Sequence, residues 1–422
     1  MVRSREVVIT GAGVVSPIGV GVEAFWDSLE SGVSGIRSIE EFASAPLPVK
    51  FGGKLVEFDA KQFIKPRKSI KVMSRDVQVA VTAAALAVED AKLSEASVDP
   101  DRYGVVIGCD FLYCDAVELA DSYRATLTEE GEFDFSRWGE SAIDKLFPLW
   151  MLRFLPNMPA CHIGIAQDAR GHNNSITLGG ASGLLALLES CDVIRRGRAD
   201  VMLTGGVGTR LNVTPLLFRG DANLSHRNDA PEQACRPFDA ERDGMVNGDG
   251  SGVIVLESRE HAEKRGARIL GTILGCSSRF EQTLDGAVPT GAAIRSAIES
   301  AVRQAEISLS DIGHVNAHGV STIESDRVEA RAIQRVLGDV PVTALKCYFG
   351  NTGAAAAPLE LIGSLLGLHR GIVPATLNYS TPDPECPVNV ITQSDFSPES
   401  DIFLALNQSG TGQIAAAIIR KD

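Results

Sequence analysis

The sequence predicts a layered α/β fold built from two similar halves. Short apolar runs rich in Val and Ile, typical of buried strands, alternate along the chain with longer segments whose apolar residues recur at helical spacing. The same alternation occurs on both sides of residue 257, and no low-complexity linker separates the two parts. Strands that alternate with helices favour sheets covered by helices. We therefore expect two units, residues 1–257 and 258–422, that pack as one body.

The first half carries four predicted strands and two long predicted helices. The strands are expected at 7–10, 103–108, 200–204 and 251–256, and the helices at 79–93 and 181–196. Gly11-Ala12-Gly13 follows the first strand, but the third glycine of a dinucleotide-binding fingerprint is missing, so we expect a tight turn there. We expect the third strand to end at Gly205-Gly206. Residues 110–157 are less regular and are interpreted as an inserted cap.

The second half repeats this order of elements. Strands are expected at 269–275, 312–317, 403–406 and 414–419, and helices at 291–305 and 362–368. The strand at 312–317 leads directly to His318.

Composition excludes several classes of protein. Of 422 residues, 44% are hydrophobic and 22% charged, which is ordinary for a globular protein with a sizeable core. The net charge of −14 argues against a nucleic-acid partner. The eight cysteines form no CxxC pair, so we expect reduced thiols and no metal site. The sequence contains no signal peptide pattern and no run long enough to span a membrane, so we expect a cytoplasmic protein without a membrane partner.

The segment S-I-T-L-G-G-A-S-G, residues 175–183, has the form of a loop that enters a helix. A nucleophile at such a position benefits from the helix dipole, yet the segment offers no thiol. Whether it is an altered active site or a glycine turn depends on the rest of the chain.

Several segments together resemble the elongating β-ketoacyl synthases of fatty-acid and polyketide synthesis. They are VVITGAGVVSPIG at the start, PNMPACHIGI at 156–165, RADVMLTGGV at 198–207, RPFDAERDGMVNGDGSGVIVLE at 236–257, VNAHGVST at 315–322 and ALKCYFGNTGAAAAPLELI at 344–362. The resemblance covers nearly the whole chain. It implies a thiolase-like five-layered αβαβα fold, a dimer, and substrates carried on the phosphopantetheine of an acyl carrier protein, with no other cofactor.

The resemblance implies that the central position of the site is altered. Members of the family hold the acyl group on a cysteine, and a malonyl group loses carbon dioxide to give the carbanion that attacks the thioester. Arg170-Gly171 matches the pair that precedes this cysteine, which then falls on Gly180. Glycine cannot form an acyl-enzyme, and its lack of a side chain is expected to leave a cavity. Cys161 or Cys347 could line the chamber as a relocated nucleophile, although a buried structural thiol is the simpler interpretation.

Other site positions match the family in part. His318 matches the first family histidine and Lys346 the family lysine, while the second histidine falls on Asn351, which can still donate a hydrogen bond to a developing oxyanion. Asp326 and Glu360 match acidic positions that organise the polar network.

The gate and the pantetheine contacts also depart from the family pattern. In the family, a phenylalanine forms the gate between the acyl tunnel and the cysteine. Ser409 replaces it here, so we expect this gate beside Gly180 to be missing. Val320 replaces a threonine that contacts pantetheine, and Thr322 is retained.

A basic cluster stands out in this acidic chain. Arg67, Lys68 and Lys71 match positions at which the family docks acidic carrier proteins through a helix. A solvated basic helix start remains the alternative.

Three functions are left open by these observations. The first is a partner of an active ketosynthase, similar to a chain-length factor, in a heterodimer or homodimer. The second is an acyltransferase or decarboxylase that acts on malonyl or acyl thioesters through His318, Asn351 and Lys346. The third is a non-catalytic protein that binds acyl chains or acyl carrier protein.

Overall fold

A computed structural model describes residues 5–56, 58–282 and 288–422. Its strands are β1 Val7–Ser16, β2 Gly19–Val20, β3 Ile36–Ser38, β4 Phe51–Gly53, β5 Tyr103–Cys109, β6 Asn173–Ile176, β7 Val201–Thr209, β8 Asp249–Ser258, β9 Gly271–Phe280, β10 His314–Asn316, β11 Pro341–Thr343, β12 Asn389–Val390, β13 Ile402–Gln408 and β14 Gln413–Lys421. Its α-helices are α1 Val22–Glu30, α2 Glu40–Ala43, α3 Arg75–Asp90, α4 Ala116–Ala125, α5 Met158–Ala166, α6 Ser182–Arg195, α7 Val213–Arg219, α8 Arg259–Arg265, α9 Ala292–Ala305, α10 Ile323–Leu337, α11 Lys346–Phe349 and α12 Ala356–Arg370.

The main strands form one continuous mixed path, β12-β11-β10-β13-β14-β9-β1-β8-β7-β5-β6. The two halves join where β1 pairs with β9. In the first half β6, β5 and β7 are parallel, whereas β8 runs antiparallel to its neighbours β7 and β1. In the second half β13 is parallel to β10 and antiparallel to β14. Each half therefore contributes its own sheet of strands to the path.

Three apolar clusters separate these strands from the helices and define five layers. The largest cluster contains Leu184 of α6 and Leu359 of α12 together with residues of both halves, so these two helices form the central layer. A second cluster packs α3 and α5 on the outer face of the first half. A third packs α9 and α10 on the outer face of the second half. The predicted layered fold of two similar halves is confirmed, and its order is αβαβα.

The expected tight turn at Gly11-Ala12-Gly13 is wrong. Strand β1 continues through these residues to Ser16. The glycines are required by close packing, because a Cβ on Gly13 would stand 2.0 Å from the carbonyl oxygen of Ala83 on α3. Glycine in a strand often marks such a close approach of another backbone.

Several expected element bounds also need correction. Strand β7 does not end at Gly205-Gly206 but continues to Thr209, and a Cβ on Gly206 would stand 2.1 Å from the carbonyl oxygen of Ala354. Strand β10 is limited to His314–Asn316, shorter than the expected 312–317. The predicted cap at 110–157 contains helix α4 and several single turns. No helix among the described residues is both long and apolar enough to cross a membrane.

Candidate functional site

The head of α6 lies at the centre of the molecule, where the sequence places the missing nucleophile. Gly180 belongs to a 3₁₀ turn, Gly179–Ala181, that leads into α6. The Ser182 hydroxyl accepts a hydrogen bond from the Leu178 N–H at 2.7 Å and donates to the Gly179 carbonyl at 2.7 Å, which fixes this turn. Ser182 is fully buried and occupied as a cap, so its hydroxyl is not available as a substitute nucleophile.

Gly180 faces the predicted histidine. A Cβ built on Gly180 would stand 3.4 Å from Cε1 of His318 and 3.5 Å from Oδ1 of Asn407. The fold thus brings the turn before α6, the loop after β10 and the end of β13 to one point.

The expected cavity at Gly180 is wrong. The same Cβ would stand 2.7 Å from the carbonyl oxygen of Gln408, closer than real Cβ contacts are found. The end of β13 therefore occupies the space into which a side chain at residue 180 would project. Ser409 follows directly, is buried, and lies opposite Gly179, whose Cβ would be 3.4 Å from that of Ser409.

Lys346 ties the histidine loop to helix α12. Its ammonium group is fully buried and donates to the His318 carbonyl oxygen at 2.5 Å and to Oε1 of Glu360 at 2.6 Å. The other oxygen of Glu360 accepts from Nδ2 of Asn407 at 2.9 Å. A buried ammonium is tolerated only with such partners. Burial raises the pKa of Glu360 to about 7, against the opposing effect of Lys346.

The imidazole of His318 is buried and neutral. Burial is the largest cause that holds its pKa well below the ordinary value, and the charge of Lys346 adds to it. Its Nδ1 and Oδ1 of Asn407 have no hydrogen-bond partner among the described residues.

Two carboxylates hold the backbone of the histidine loop. Glu329 accepts from the N–H groups of His318 at 2.7 Å and Gly319 at 2.9 Å. Asp326 accepts from Val320 at 2.9 Å and from the N–H of Ser321, which has a φ of +68°, at 3.1 Å.

Burial raises the pKa of Asp326 to about 6 and that of Glu329 to about 8. The sequence identified Asp326 and missed Glu329, although both lie one turn apart on the inner face of α10.

The remaining residues predicted for the pocket, Asn351, Val320 and Thr322, differ in their burial. The amide of Asn351 is buried, with Nδ2 3.3 Å from Sδ of Met245 and Oδ1 accepting from the Gly353 N–H at 3.1 Å. The side chain of Asn351 therefore has two hydrogen-bond partners, Met245 and Gly353, and neither is His318. Val320 is buried and Thr322 is half-buried at the start of α10.

Neither candidate cysteine is placed at Gly180. Cys347 is fully buried, with its thiol 3.0 Å from the Ala344 carbonyl and 3.1 Å from the Leu377 N–H, and burial raises its pKa well above the ordinary value. Cys161 lies on α5, with its sulfur 3.6 Å from Nδ2 of Asn157. A relocated thiolate is not supported at either position.

The basic cluster lies on the surface, in a form that differs from the expectation. Arg67, Lys68 and Lys71 are exposed on a 3₁₀ segment, Arg67–Val72, that precedes α3. These residues thus lie on a 3₁₀ segment and not on an α-helix.

The layered fold and the site, with a histidine and a buried lysine around a central helix head, define a condensing-enzyme scaffold. The model of the β-ketoacyl synthase N-terminal domain matches residues 4–262, and that of the C-terminal domain matches residues 270–380. The chain belongs to the β-ketoacyl synthase family.

Similar proteins are known along the full length of the chain. The tetracenomycin polyketide synthase ketoacyl synthase alpha subunit of Streptomyces glaucescens is 34% identical over 99% of this chain and 97% of its own. A structure of a type II PKS acyl-carrier protein in complex with its ketosynthase has a TM-score of 0.85 at 31% identity, with 99% of each chain covered. The ishigamide ketosynthase/chain length factor has a TM-score of 0.85 at 28% identity, covering 99% of this chain and 100% of that one. This chain is therefore a β-ketoacyl synthase-like protein of fatty-acid or polyketide synthesis.

Proposed function

We propose that this chain is a ketosynthase-fold subunit that holds no acyl group on a cysteine of its own and acts as the partner of an active ketosynthase, in the manner of a chain-length factor. One observation carries the proposal: the position at the head of α6 that faces His318 is a glycine, and the carbonyl oxygen of Gln408 fills the space beside it. An acyl-enzyme needs a nucleophilic side chain at this point, and residue 180 has neither a side chain nor the space beside Gln408 for one.

The surface of the chain supports a partner subunit. Among the described residues β6 pairs only with β5, so its outer edge offers free backbone groups at the end of the sheet. Large apolar side chains are exposed on the cap, among them Phe111, Val117, Phe135 and Met151. The exposed ring of Phe218 on α7 lies against the cap residue Tyr113. Exposed apolar surface of this extent is typical of an interface between subunits.

The exposed basic turn supports an acyl carrier protein as a second partner. Arg67, Lys68 and Lys71 contribute three positive charges within one 3₁₀ segment of a chain whose net charge is −14. Such a patch favours encounter with an acidic protein. One of the similar structures contains an acyl-carrier protein bound to its ketosynthase.

The test uses this chain alone and together with a candidate partner ketosynthase that has an intact cysteine. Both samples receive acyl- and malonyl-carrier proteins, and carbon dioxide release and condensed product are measured. We expect product only from the complex, and none when the partner's cysteine is replaced by alanine. Condensed product from the isolated chain, or failure of the two proteins to co-purify, would overturn the proposal.

The retained network supports a second candidate, a decarboxylase for malonyl thioesters. His318, with Nδ1 free, could donate to the thioester carbonyl oxygen as the carbon–carbon bond breaks, carbon dioxide leaves and the enolate takes up a proton. Since Asn351 is held by Met245 and Gly353, the site then depends on His318 for this donor. Carbon dioxide release by the isolated chain that disappears in His318→Ala would favour this candidate, whereas binding of acyl chains without turnover would favour a binding protein.

A further inference from the structure

Two thiols that are far apart in the sequence meet between the two halves of the fold. Cys191 lies on α6 of the first half, and Cys276 lies on β9 of the second half. Cys276 packs against the apolar cluster that contains Cys191, and the two thiols form a hydrogen bond with each other. Neither thiol belongs to a disulfide bond, since all eight cysteines of the chain are free. The pair is therefore a reduced dithiol between the central helix α6 and a strand of the second half.

The backbone around Cys276 is held against the elements on either side of it. Arg195 lies one turn after Cys191 on α6, and its guanidinium donates a hydrogen bond to the carbonyl oxygen of Ile273 on β9 at 3.3 Å. The N–H of Cys276 donates to Oε1 of Gln304 on α9 at 2.5 Å. Because both cysteines stand on regular elements that these bonds connect, the two thiols stay adjacent.

The two thiols differ in their exposure to solvent. A groove of about 1110 Å³ runs between α6, β9 and α9, and Cys276 forms part of its wall. Cys276 is half-buried, whereas Cys191 is fully buried. A small reagent that enters the groove therefore reaches Cys276 first.

The groove carries an excess of positive charge. Its arginines are Arg195, Arg196, Arg198, Arg279 and Arg303, and its carboxylates are Glu189 and Asp192. The hydrogen bond from Cys191 and the charge of Arg195 lower the pKa of Cys276, whereas the same hydrogen bond and burial raise the pKa of Cys191 well above its ordinary value. A cationic and partly exposed setting distinguishes a reactive cysteine from an inert buried one.

We propose that Cys276 and Cys191 form a redox site, at which a hydroperoxide oxidises the two thiols to a disulfide. The thiolate of Cys276 attacks one oxygen of hydrogen peroxide, and the O–O bond breaks. The sulfur becomes a sulfenic acid, and the hydroxide takes up the proton that Cys276 released and leaves as water. The thiol of Cys191 then attacks the sulfenic sulfur, the S–S bond forms, and the sulfenic oxygen leaves as a second water with the proton of Cys191. The two sulfur atoms together lose two electrons, which reduce the peroxide to water.

Other cysteines of the chain provide matched controls. Cys161 is also half-buried, but the neighbour of its sulfur at 3.6 Å is the side-chain amide of Asn157. Cys347 is fully buried, and its thiol is bonded to backbone groups of Ala344 and Leu377. Cys161 thus tests access without a thiol partner, and Cys347 tests burial without access.

The experiment treats the full chain with hydrogen peroxide under native conditions, blocks the remaining thiols with iodoacetamide in denaturant, and maps the peptides by mass spectrometry without reduction. We expect the peptides of Cys191 and Cys276 to be linked, with the loss of two hydrogen atoms from the intact protein. Dithiothreitol should reverse the link. Cys161 and Cys347 should remain in the alkylated fraction.

Variants separate the two steps of the reaction. Cys191→Ala should stop the reaction at the sulfenic acid of Cys276, which dimedone traps, whereas Cys276→Ala should abolish both the adduct and the link. Cys161→Ala should leave the linked pair unchanged. Melting temperatures verify folding, and Cys191→Val, which keeps an apolar side chain in the core, replaces Cys191→Ala if that variant unfolds.

Four outcomes would each overturn the inference. They are no linked pair at a peroxide concentration that already oxidises Cys161, a link between other cysteines in its place, no dimedone adduct on Cys276 in either Cys191 variant, and loss of the link in Cys161→Ala. Neither step of the reaction involves the acyl site or a partner subunit, so the outcome does not depend on the proposed function.

Discussion

The carbonyl oxygen of Gln408 lies only 2.7 Å from the position that a Cβ on Gly180 would occupy. Residue 180 therefore has no space for a side chain, because the backbone of Gln408 lies against it. A cysteine could return to this position only if the end of β13 moved away from α6.

The first prediction concerns the return of the side chain. Gly180→Cys is expected to remain unacylated when incubated with acyl-carrier protein, as measured by intact mass, because the thiol has no room beside Gln408. Gly180→Ala should lower the free energy of unfolding by about 1–3 kcal/mol, the usual cost of overpacking a core.

Gly410→Ala, in the turn between β13 and β14 that follows Gln408, is the control, since a Cβ there meets no atom within 4 Å. It should change stability by less than about 0.5 kcal/mol. A stable Gly180→Cys protein that carries an acyl group would contradict both the packing argument and the proposed function.

The second prediction concerns the buried ion pair of Lys346 and Glu360. Lys346→Met leaves the carboxyl of Glu360 buried without its ammonium, and we expect a loss of about 3–5 kcal/mol in denaturant unfolding. The double variant Lys346→Met with Glu360→Gln should recover part of that loss, because no uncompensated charge remains buried.

Lys421→Met removes an ammonium from the more exposed pair with Asp401 and should cost less than about 1 kcal/mol. Equal losses for Lys346→Met and Lys421→Met would show that burial does not govern the energy of the first pair.

The third prediction concerns the dependence of stability on pH. Burial raises the pKa of Glu329 to about 8 from an unfolded value of 4.5. Its contribution to stability is therefore fully present below pH 4.5 and is lost as the pH rises through about 8. Glu329→Gln should flatten the decline of melting temperature in this window.

The contribution of Glu257 to stability depends on pH in the opposite direction, so this residue serves as the comparison. Hydrogen bonds from Arg265, His261 and Thr10 outweigh burial and hold its pKa at about 2. Its contribution is present above pH 4.5 and is lost as the pH falls through about 2, so Glu257→Gln should be destabilised at neutral pH. A Glu329→Gln protein with an unchanged slope between pH 5 and 8 would refute the assignment.

The fourth prediction concerns the basic turn. Replacing Arg67, Lys68 and Lys71 by Ala should weaken binding of an acidic acyl carrier protein at least tenfold at low salt, as measured by surface plasmon resonance, and the natural protein should lose affinity as salt increases. Lys264→Ala removes an exposed lysine from α8 and should leave binding unchanged. Comparable losses in both variants would mean that net charge, and not this turn, drives the encounter.

The polar site itself was predicted only in part. His318, Lys346 and Glu360 were identified through the resemblance to β-ketoacyl synthases, and the structure brings them together by hydrogen bonds. Glu329 could not be identified in this way. A single acid on a helix is common in surface positions, and nothing local distinguishes it until the fold buries it.

The sequence alone determined the alternation of strands and helices, the division into two halves and the glycine at the head of α6, because hydrophobic spacing and local turn chemistry are properties of short segments. The tertiary structure decided which distant segments share a point: that β13 closes on Gly180, that the glycines of β1 admit α3, and that Cys191 of α6 meets Cys276 of β9. Such contacts join residues far apart in the chain and depend on backbone approaches of a few ångströms, which no local pattern encodes.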